Sequence, residues 1–206
     1  MEYLARTPGQ AAYIKALQSQ KPIIVATGPA GCGKTRLACE MAIELLEERK
    51  CQRIILTRPI VAADEDMGYL PGDIDKKMEP WVRPMYDVFE KSFSVTKMER
   101  YIEIAPLGYM RGRTFNDTFI IADEMQNSTI NQIKMVMTRL GENSKMVISG
   151  DLEQSDLSEK TNGLWDLTQR MKEYDGEFEY IERVKMRGED IVRHPAVEEI
   201  LKIYNV

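Results

Sequence analysis

Histidine and cysteine are scarce in this sequence of 206 residues. His194 is the one histidine, and the three cysteines, Cys32, Cys39 and Cys51, form no C-x-x-C pair. A disulfide framework or a structural zinc site needs more of these residues at closer spacing. The scarcity argues against both classes of protein and favours a reducing, cytoplasmic location.

Long apolar runs are missing as well. No run approaches the roughly 18 residues that a membrane span requires, and residues 1–10 lack the basic start and apolar stretch of a secretory signal. We therefore expect a cytoplasmic protein with no membrane partner. Repeats and linkers rich in Ser, Gly or Pro are also missing, so residues 1–206 are predicted to form a single domain. A second full lobe of about 150 residues would not fit beside it.

The net charge of −5 argues weakly against a generic nucleic-acid binder, but the charge is unevenly distributed. Residues 1–60 carry nine Lys or Arg against five Asp or Glu, whereas residues 151–182 carry three against ten. The acidic residues are therefore concentrated late in the chain. A locally basic face is compatible with this distribution.

Short apolar runs alternate with helical patterns along the chain. Strands are predicted at residues 22–27, 53–57, 101–105, 118–122, 145–149 and 177–184. Helices are predicted at residues 37–46, 75–89, 129–140 and 163–174 and from Pro195 onward, with Pro80 and Pro84 expected to break or kink the second. This alternation predicts an α/β fold, a mostly parallel sheet with helices on both faces. The motifs and the family resemblance given next imply that this sheet is of the RecA-like P-loop NTPase class.

Residues 28–35 fit the pattern G-x-x-x-x-G-K-[ST] and lie between the first predicted strand and the first amphipathic helix. Glycines in such a loop let successive N–H groups face an anion, and the helix N-terminus adds favourable dipole charge. The pattern places Lys34 at the β- and γ-phosphates and the Thr35 hydroxyl on Mg²⁺. The nucleotide-binding residues predicted with it are Gly28, Pro29, Ala30, Gly31, Cys32, Gly33, Lys34, Thr35 and Arg36. We name residues 28–35 the P-loop.

The predicted strand at residues 118–122 is followed directly by two acidic residues, Asp123 and Glu124. Asp123 is expected to hold Mg²⁺ and Glu124 to polarise the attacking water, because two adjacent carboxylates suit hydrolysis better than transfer to an acceptor. Gln126 follows them, and Gln154 follows the next strand within G-D-x-x-Q. An amide can donate to a γ-phosphate oxygen and accept from a water. Gln154 is therefore a candidate sensor of the γ-phosphate, although G-D-x-x-Q alone is equally an ordinary turn.

Together these motifs resemble the PhoH-like P-loop ATPases, the phosphate starvation-inducible proteins, including short versions carried by phages. That family in turn is similar to the nucleotide-binding core of superfamily-one helicases. The resemblance runs from Gln10 to about Tyr204 and rests on residues 28–35, 58–61, 68–73, 109–115, 123–127, 138–141, 149–154 and 190–195. It implies ATP and Mg²⁺ as cofactors, ATP hydrolysis and a role on nucleic acid. By analogy to the helicases, Gln10 would read the adenine edge, against the alternative of a polar residue on a surface helix.

Hydrolysis at such a site needs a positive charge on the γ-phosphate in the transition state. Two-lobed helicases supply it from their second lobe, so we expect an arginine from another copy of this chain. Arg193 is the favoured candidate, with Arg139 and Arg187 as alternatives; a surface salt bridge is the other interpretation of each. A residue acting in trans predicts a head-to-tail homo-oligomer, such as a ring, with a hexamer as one candidate.

Residues 109–115 interleave arginine with aromatic side chains. Arginine pairs with phosphates and aromatic faces stack on unpaired bases, so Arg111 and Arg113 are candidate contacts to single-stranded RNA or DNA. Arg58, Lys76 and Lys77 are further candidates. The alternative is that Arg111 and Arg113 build the oligomer interface or touch ATP in a neighbour.

The sequence thus favours a Mg²⁺-dependent ATPase that couples hydrolysis to single-stranded RNA or DNA as an oligomer. One rival is an ATP-gated assembly module whose nucleotide state controls partner binding without nucleic acid. The other is a small-molecule kinase, against which Glu124 and the two glutamines argue because phosphoryl transfer requires water to be excluded.

Overall fold

A computed structural model describes residues 5–59 and 74–204. Six strands form one sheet: β1 (Ile23–Thr27), β2 (Arg53–Thr57), β3 (Ile102–Ile104), β4 (Thr118–Ala122), β5 (Lys145–Gly150) and β6 (Ile181–Lys185). Their order across the sheet is β3-β2-β4-β5-β1-β6, and every pairing is parallel. This arrangement confirms the predicted α/β fold of the RecA-like P-loop class.

The described residues also form seven α-helices, of which the first precedes β1 and the last follows β6: α1 (Pro8–Gln18), α2 (Lys34–Glu47), α3 (Ile74–Phe89), α4 (Val95–Tyr101), α5 (Ile130–Met137), α6 (Gly163–Glu173) and α7 (Pro195–Tyr204). Single 3₁₀ turns lie at Leu107–Met110, Met125–Asn127 and Gly188–Asp190. Thr129 begins α5 with a reciprocal capping box to Gln132. Among the helices of the described ranges, none combines the length and apolar character needed to cross a membrane.

Apolar side chains leave the sheet on both faces, because successive residues of a strand point in opposite directions. In β4, Phe119 and Ile121 join a core that also contains buried residues of α1, α2, α3 and α4. Ile120 and Ala122 join a second core with α5 and α6. The helices therefore cover both faces, as the continuous apolar runs of the strands predict.

Helix α3 differs from its prediction, because neither Pro80 nor Pro84 breaks it. A proline inside a helix costs about 3 kcal/mol. Burial of Val82, Met85 and Phe89 against the first core offsets that cost. The local pattern also left α1 and α4 unpredicted, and β6 begins at Ile181 rather than near residue 177.

The register of the sheet brings the strand ends together. Thr27 at the end of β1 pairs with Gly150 at the end of β5, and Thr57 at the end of β2 pairs with Ala122 at the end of β4. The loops that follow these strands therefore meet at one edge of the sheet, which we call the carboxyl edge. The opposite edge, where the strands begin, is called the amino edge. Parallel sheets place ligands at the carboxyl edge.

Candidate active site

The P-loop curls between β1 and α2 in a conformation that requires glycine. Gly31 has φ +85° and Gly33 has φ +90°, in the left-handed region that side chains disfavour. A Cβ atom at Gly31 would also lie 2.9 Å from Nε of Arg193. A backbone with this curl turns its N–H groups inward, which is the chemistry of an anion cradle.

Lys34 lies inside this loop. It is 8% exposed, and its Nζ donates to the carbonyl oxygens of Gly28 at 2.6 Å and Pro29 at 2.9 Å. Burial raises the pKa of the neighbouring Cys32 thiol, an effect that the Lys34 ammonium partly opposes. Arg36 instead points to the flank of α2, where it pairs with Glu40 at 2.9 Å.

Asp123 connects the P-loop to the end of β4. Its carboxylate is 1% exposed and accepts hydrogen bonds from Thr35 Oγ1 at 2.9 Å and Ser149 Oγ at 2.6 Å. The structure thus brings together the two residues predicted to hold Mg²⁺. Sequence reasoning assigned no role to Ser149, because its contact depends on β5 lying beside β4.

Arg58 also reaches this carboxylate. A single nitrogen, Nη2, lies 3.2 Å from Asp123 Oδ2 and 3.1 Å from Glu124 Oε1. The Arg58 side chain is 15% exposed, so it points toward Asp123 and Glu124 rather than to the surface. We call these two carboxylates the acidic cluster. In this structure the Arg58 guanidinium pairs with two carboxylates within the fold, and its predicted contact to nucleic acid stays a prediction.

Glu124 adopts a left-handed backbone conformation, with φ +54°. Such a conformation is strained for a residue with a side chain, and strain of this kind clusters at functional sites. Gln126 Nε2 donates to Glu124 Oε2 at 2.6 Å, while Gln126 Oε1 accepts from the Asp151 backbone N–H at 3.1 Å. The amide that meets Glu124 is therefore that of Gln126. The side chain of Gln154 is exposed on the following turn.

The turn after β5 is bonded directly to the P-loop. Asp151 is 5% exposed, and its Oδ2 accepts from the Ala30 backbone N–H at 3.0 Å. The Gly28 N–H donates to the Gly150 carbonyl at 3.2 Å. Movements of residues 149–154 and of the P-loop are therefore mechanically linked.

Gln10, on α1, contacts the backbone of the P-loop. It is 2% exposed, its Nε2 donates to the Cys32 carbonyl at 3.2 Å, and its Oε1 accepts from the Arg6 N–H at 3.0 Å. Both ends of the amide are thus engaged with backbone groups. This burial corrects the alternative of a residue on the surface, and the predicted contact to adenine stays a prediction.

The segment after β6 lies against the P-loop of the same chain. Val192 N–H donates to the Gly31 carbonyl at 3.2 Å, and Arg193 Nη2 donates to the Ala30 carbonyl at 3.3 Å. Asp190 secures this segment to α1. Burial alone would raise the pKa of Asp190, but hydrogen bonds from the backbone of Arg187, the Thr7 side chain and the Gly9 N–H lower it overall.

The remaining predicted arginines lie apart from the acidic cluster. Arg139 donates to the carbonyls of Met135 at 3.1 Å and Arg113 at 3.1 Å, which ties α5 to the loop before β4. Arg187 is exposed beside the P-loop. Arg113 pairs with Glu103 at 2.6 Å and lies over the Phe115 ring.

Arg111 is exposed and lines a cavity of about 500 Å³ with Leu107, Gly108, Asn131, Gln132 and Met135. Lys76 and Lys77 lie on α3, but their side chains are outside the part of the chain that the structure describes. Residues 60–61 and 68–73, which belong to the motifs of the family resemblance, also lie outside the described ranges. A second cavity, of about 540 Å³, opens between the P-loop, the turn at Asp151 and the segment at Arg187.

The donor set at the junction of Thr35 and Asp123 suits Mg²⁺. Hydroxyl and carboxylate oxygens are the hard ligands that Mg²⁺ prefers, and it is usually held by one or two carboxylates together with substrate phosphates. Thr35 Oγ1 and Asp123 Oδ2 already lie 2.9 Å apart at the mouth of the P-loop. The residues present therefore fit this ion.

Comparison with known proteins agrees with this geometry. The family described as PhoH-like protein matches residues 3–205. A PhoH-like protein of Synechocystis is 44% identical over 97% of this chain and 61% of its own length, and Protein PhoH of Escherichia coli K12 is 43% identical over 98% and 58%. This chain therefore spans about three fifths of the length of these relatives. A solved Pif1 helicase from Candida albicans has 15% identity and a TM-score of 0.45, covering all of this chain and 44% of that protein.

Proposed function

This chain belongs to the PhoH-like protein family of P-loop NTPases, and we propose that it hydrolyses ATP to ADP and phosphate with Mg²⁺ as cofactor. One observation carries the proposal. The hydrogen bond from Thr35 to Asp123 joins the P-loop to the acidic end of β4, directly beside Glu124. Phosphate-binding and water-activating chemistry thereby share one edge of the sheet.

The P-loop residues would bind the β- and γ-phosphates of ATP. Lys34 would exchange its bonds to the Gly28 and Pro29 carbonyls for bonds to phosphate oxygens. Thr35 and Asp123 would hold Mg²⁺. When bound, Mg²⁺ neutralises charge on the β- and γ-phosphate oxygens. Gln10 would stabilise the curvature of the P-loop through its hydrogen bond to the Cys32 carbonyl.

Glu124 is the proposed proton acceptor. As the water oxygen bonds to the γ-phosphorus, the bond from that phosphorus to the bridging oxygen breaks and its electron pair remains on ADP. The proton lost by the water passes to the Glu124 carboxylate. Gln126 orients that carboxylate through its 2.6 Å hydrogen bond, and Gln154 is proposed to sense the γ-phosphate from the next turn.

Phosphate release from ATP and Mg²⁺, with no acceptor added, tests the proposal. Glu124→Gln should retain ATP binding and lose about 10²–10⁴-fold in kcat, whereas Glu159→Gln, on an exposed turn, is the matched control and should match wild type. Binding without phosphate release by the wild-type protein would contradict hydrolysis. Transfer only to an added acceptor would instead support a kinase.

We further propose single-stranded RNA or DNA as a partner. The exposed Arg111 guanidinium and the Tyr109 ring, which is 60% exposed, supply a phosphate contact and a stacking surface. Arg111→Ala should weaken binding of a single-stranded oligonucleotide and flatten its salt dependence. Unchanged binding, together with no stimulation of ATP hydrolysis by RNA or DNA, would favour the ATP-gated assembly module.

A second copy of the chain is the other proposed partner. Helix α7 exposes Val197, Ile200 and Ile203, which are 37%, 51% and 72% exposed. Apolar side chains grouped on one helix are typical of association surfaces. Native mass measurement with and without ATP tests self-association in a ring, and Ile200→Asp should lower the mass toward that of one chain. A single-chain mass under all conditions would contradict the ring.

A further inference from the structure

The bridge that Arg58 forms between Asp123 and Glu124 has a consequence for ATP hydrolysis, and the inference rests on the function proposed above. One guanidinium nitrogen contacts both carboxylates, at 3.2 Å and 3.1 Å. Asp123 Oδ2, which receives it, also accepts the hydrogen bond from Thr35. The guanidinium therefore lies at the same oxygen that is proposed to hold a divalent cation.

Two cations cannot share this oxygen without strong repulsion, because the side chains are largely withdrawn from water and charges are poorly screened there. Arg58 must therefore give up Asp123 when the cation site is filled. The same movement would release Glu124, because a single nitrogen, Nη2, contacts both carboxylates.

The backbone keeps the released side chain within the site. Arg58 directly follows Thr57, whose carbonyl accepts the Asp123 N–H at 3.0 Å. This hydrogen bond holds the end of β2 beside the end of β4, so a reoriented Arg58 side chain would stay near the two carboxylates. In the loaded site, the nearby group with the greatest negative charge is the γ-phosphate of ATP.

We propose that Arg58 is a catalytic residue that supplies, within its own chain, the positive charge for the γ-phosphate in the transition state. Before nucleotide binds, the ion pairs with Asp123 and Glu124 hold the guanidinium close to the proposed position of the γ-phosphate. The proposal replaces the expectation of an arginine from another copy. Arg193, the favoured candidate for that role, is engaged with the Ala30 carbonyl of its own P-loop.

Substitution of Arg58 tests the proposal through the rate. Arg58→Ala should lower kcat by about 10³-fold or more, the loss typical of an arginine finger. Arg58→Lys should recover little, because an ammonium lacks the planar fork of the guanidinium. Arg53→Ala, on the exposed start of the same strand, is the matched control and should keep the wild-type rate. An unchanged or higher kcat in Arg58→Ala would overturn the proposal, since Arg58 would then only restrain the acids.

Mixing two inactive variants separates action within a chain from action between chains. Arg58→Ala and Glu124→Gln, each inactive alone, should remain inactive when mixed and allowed to exchange subunits. Recovery of activity in the mixture would show that Arg58 serves a neighbouring copy and would overturn the proposal. The same mixture with Arg193→Ala in place of Arg58→Ala tests the trans role of Arg193 directly.

A binding measurement tests the resting bridge without catalysis. In nucleotide-free protein, Mn²⁺ followed by electron paramagnetic resonance should bind Arg58→Ala at least tenfold more tightly than wild type. Equal affinity would overturn the shared position of the two cations, provided that circular dichroism shows both proteins folded. If the wild-type protein releases no phosphate from ATP, the proposed function fails first. If it does and Arg58→Ala matches it, only this inference fails.

Discussion

The two edges of the sheet use buried polar side chains differently. At the carboxyl edge, Asp123 meets side chains from α2, β5 and the end of β2, so one acid collects Thr35, Ser149 and Arg58. At the amino edge, Ser144 and Lys145 bond to backbone groups instead. The larger cavity, of about 760 Å³, lies at the amino edge, whereas the candidate active site lies at the carboxyl edge.

This difference separates residues that build a site from residues that hold the fold. Backbone groups must be paired wherever they are buried, so Ser144 and Lys145, which pair such groups at the edge away from the P-loop, should act on stability. A side chain that pairs another charged side chain, at some cost in desolvation, indicates function. Cavity size alone would have selected the wrong edge. We therefore expect substitutions at the carboxyl edge to change rate, and those at the amino edge to change stability.

After the variants of Glu124 and Arg58, the largest expected effect is that of Lys34→Ala. Removing the ammonium should lower phosphate release by about 10²–10³-fold, because its charge is no longer available to the β- and γ-phosphates. The free energy of unfolding should change by no more than about 1 kcal/mol, since water can reach the two freed carbonyls. Urea unfolding and steady-state kinetics measure the two quantities, with Lys15→Ala on the exposed face of α1 as control. A large loss of stability with little loss of rate would break the comparison.

A smaller loss of rate is expected from the two glutamines. Gln126→Ala should lower kcat by roughly ten- to a hundredfold, because Glu124 loses the donor that orients it. Gln154→Ala should cost less, since its exposed side chain does not contact Glu124. Single-turnover kinetics compare the variants at saturating ATP. The opposite order would assign the γ-phosphate contact to Gln154, as the motif alone predicts.

At the amino edge, Ser144→Ala should act on stability. The Ser144 hydroxyl accepts from the Thr118 N–H at 2.9 Å and donates to the Phe115 carbonyl at 2.7 Å. Leaving these buried groups unpaired should cost about 1–3 kcal/mol, and Tm should fall by roughly 2–4 °C for each kcal/mol. The kcat of the folded protein should not change. A rate loss at a temperature where the variant is fully folded would contradict the division between the edges.

No effect on rate is expected from the titration of Lys145, which should change stability alone. Its Nζ donates to the Leu17 carbonyl at 2.6 Å, and burial lowers its pKa from the ordinary 10.5 to about 8. Between these values the unfolded chain binds the extra proton, so the free energy of unfolding should rise with pH from about 8 to 10.5. Lys145→Met should lack this rise. Parallel slopes in urea titrations of the two proteins at pH 7, 9 and 10 would show that Lys145 does not contribute.

Much of the fold follows from local pattern. The strands at Arg53–Thr57 and Thr118–Ala122 agree with their predictions at both ends, because each is an apolar run that must be buried on both faces. The P-loop is equally predictable from the sequence, because the spacing of its glycines, Lys34 and Thr35 is fixed by the curl of the backbone around a phosphate. Helix α3 shows the limit of local pattern. The cost of Pro80 and Pro84 is a local property, whereas the packing of α3 against the first core, which outweighs that cost, depends on residues distant in sequence.

The candidate site divides in the same way. Thr35, Asp123 and Glu124 belong to motifs, so the sequence predicts them. Arg58 and Glu124 are 66 positions apart, and they meet because β2 lies beside β4. Strand order is set by the whole chain and not by any local pattern. The burial of Gln10 under the P-loop is likewise tertiary.

The contact between residues 192–193 and the P-loop affects how the protein is made. Arg193 and Ala30 are separated by 163 positions, so a ribosome releases the P-loop long before the segment that bonds to it. Contacts of such long range form late in folding. A nascent chain that has emerged only as far as α2 carries the nucleotide motif without its full support. The P-loop therefore acquires its full set of hydrogen bonds only after residue 193 has been synthesised.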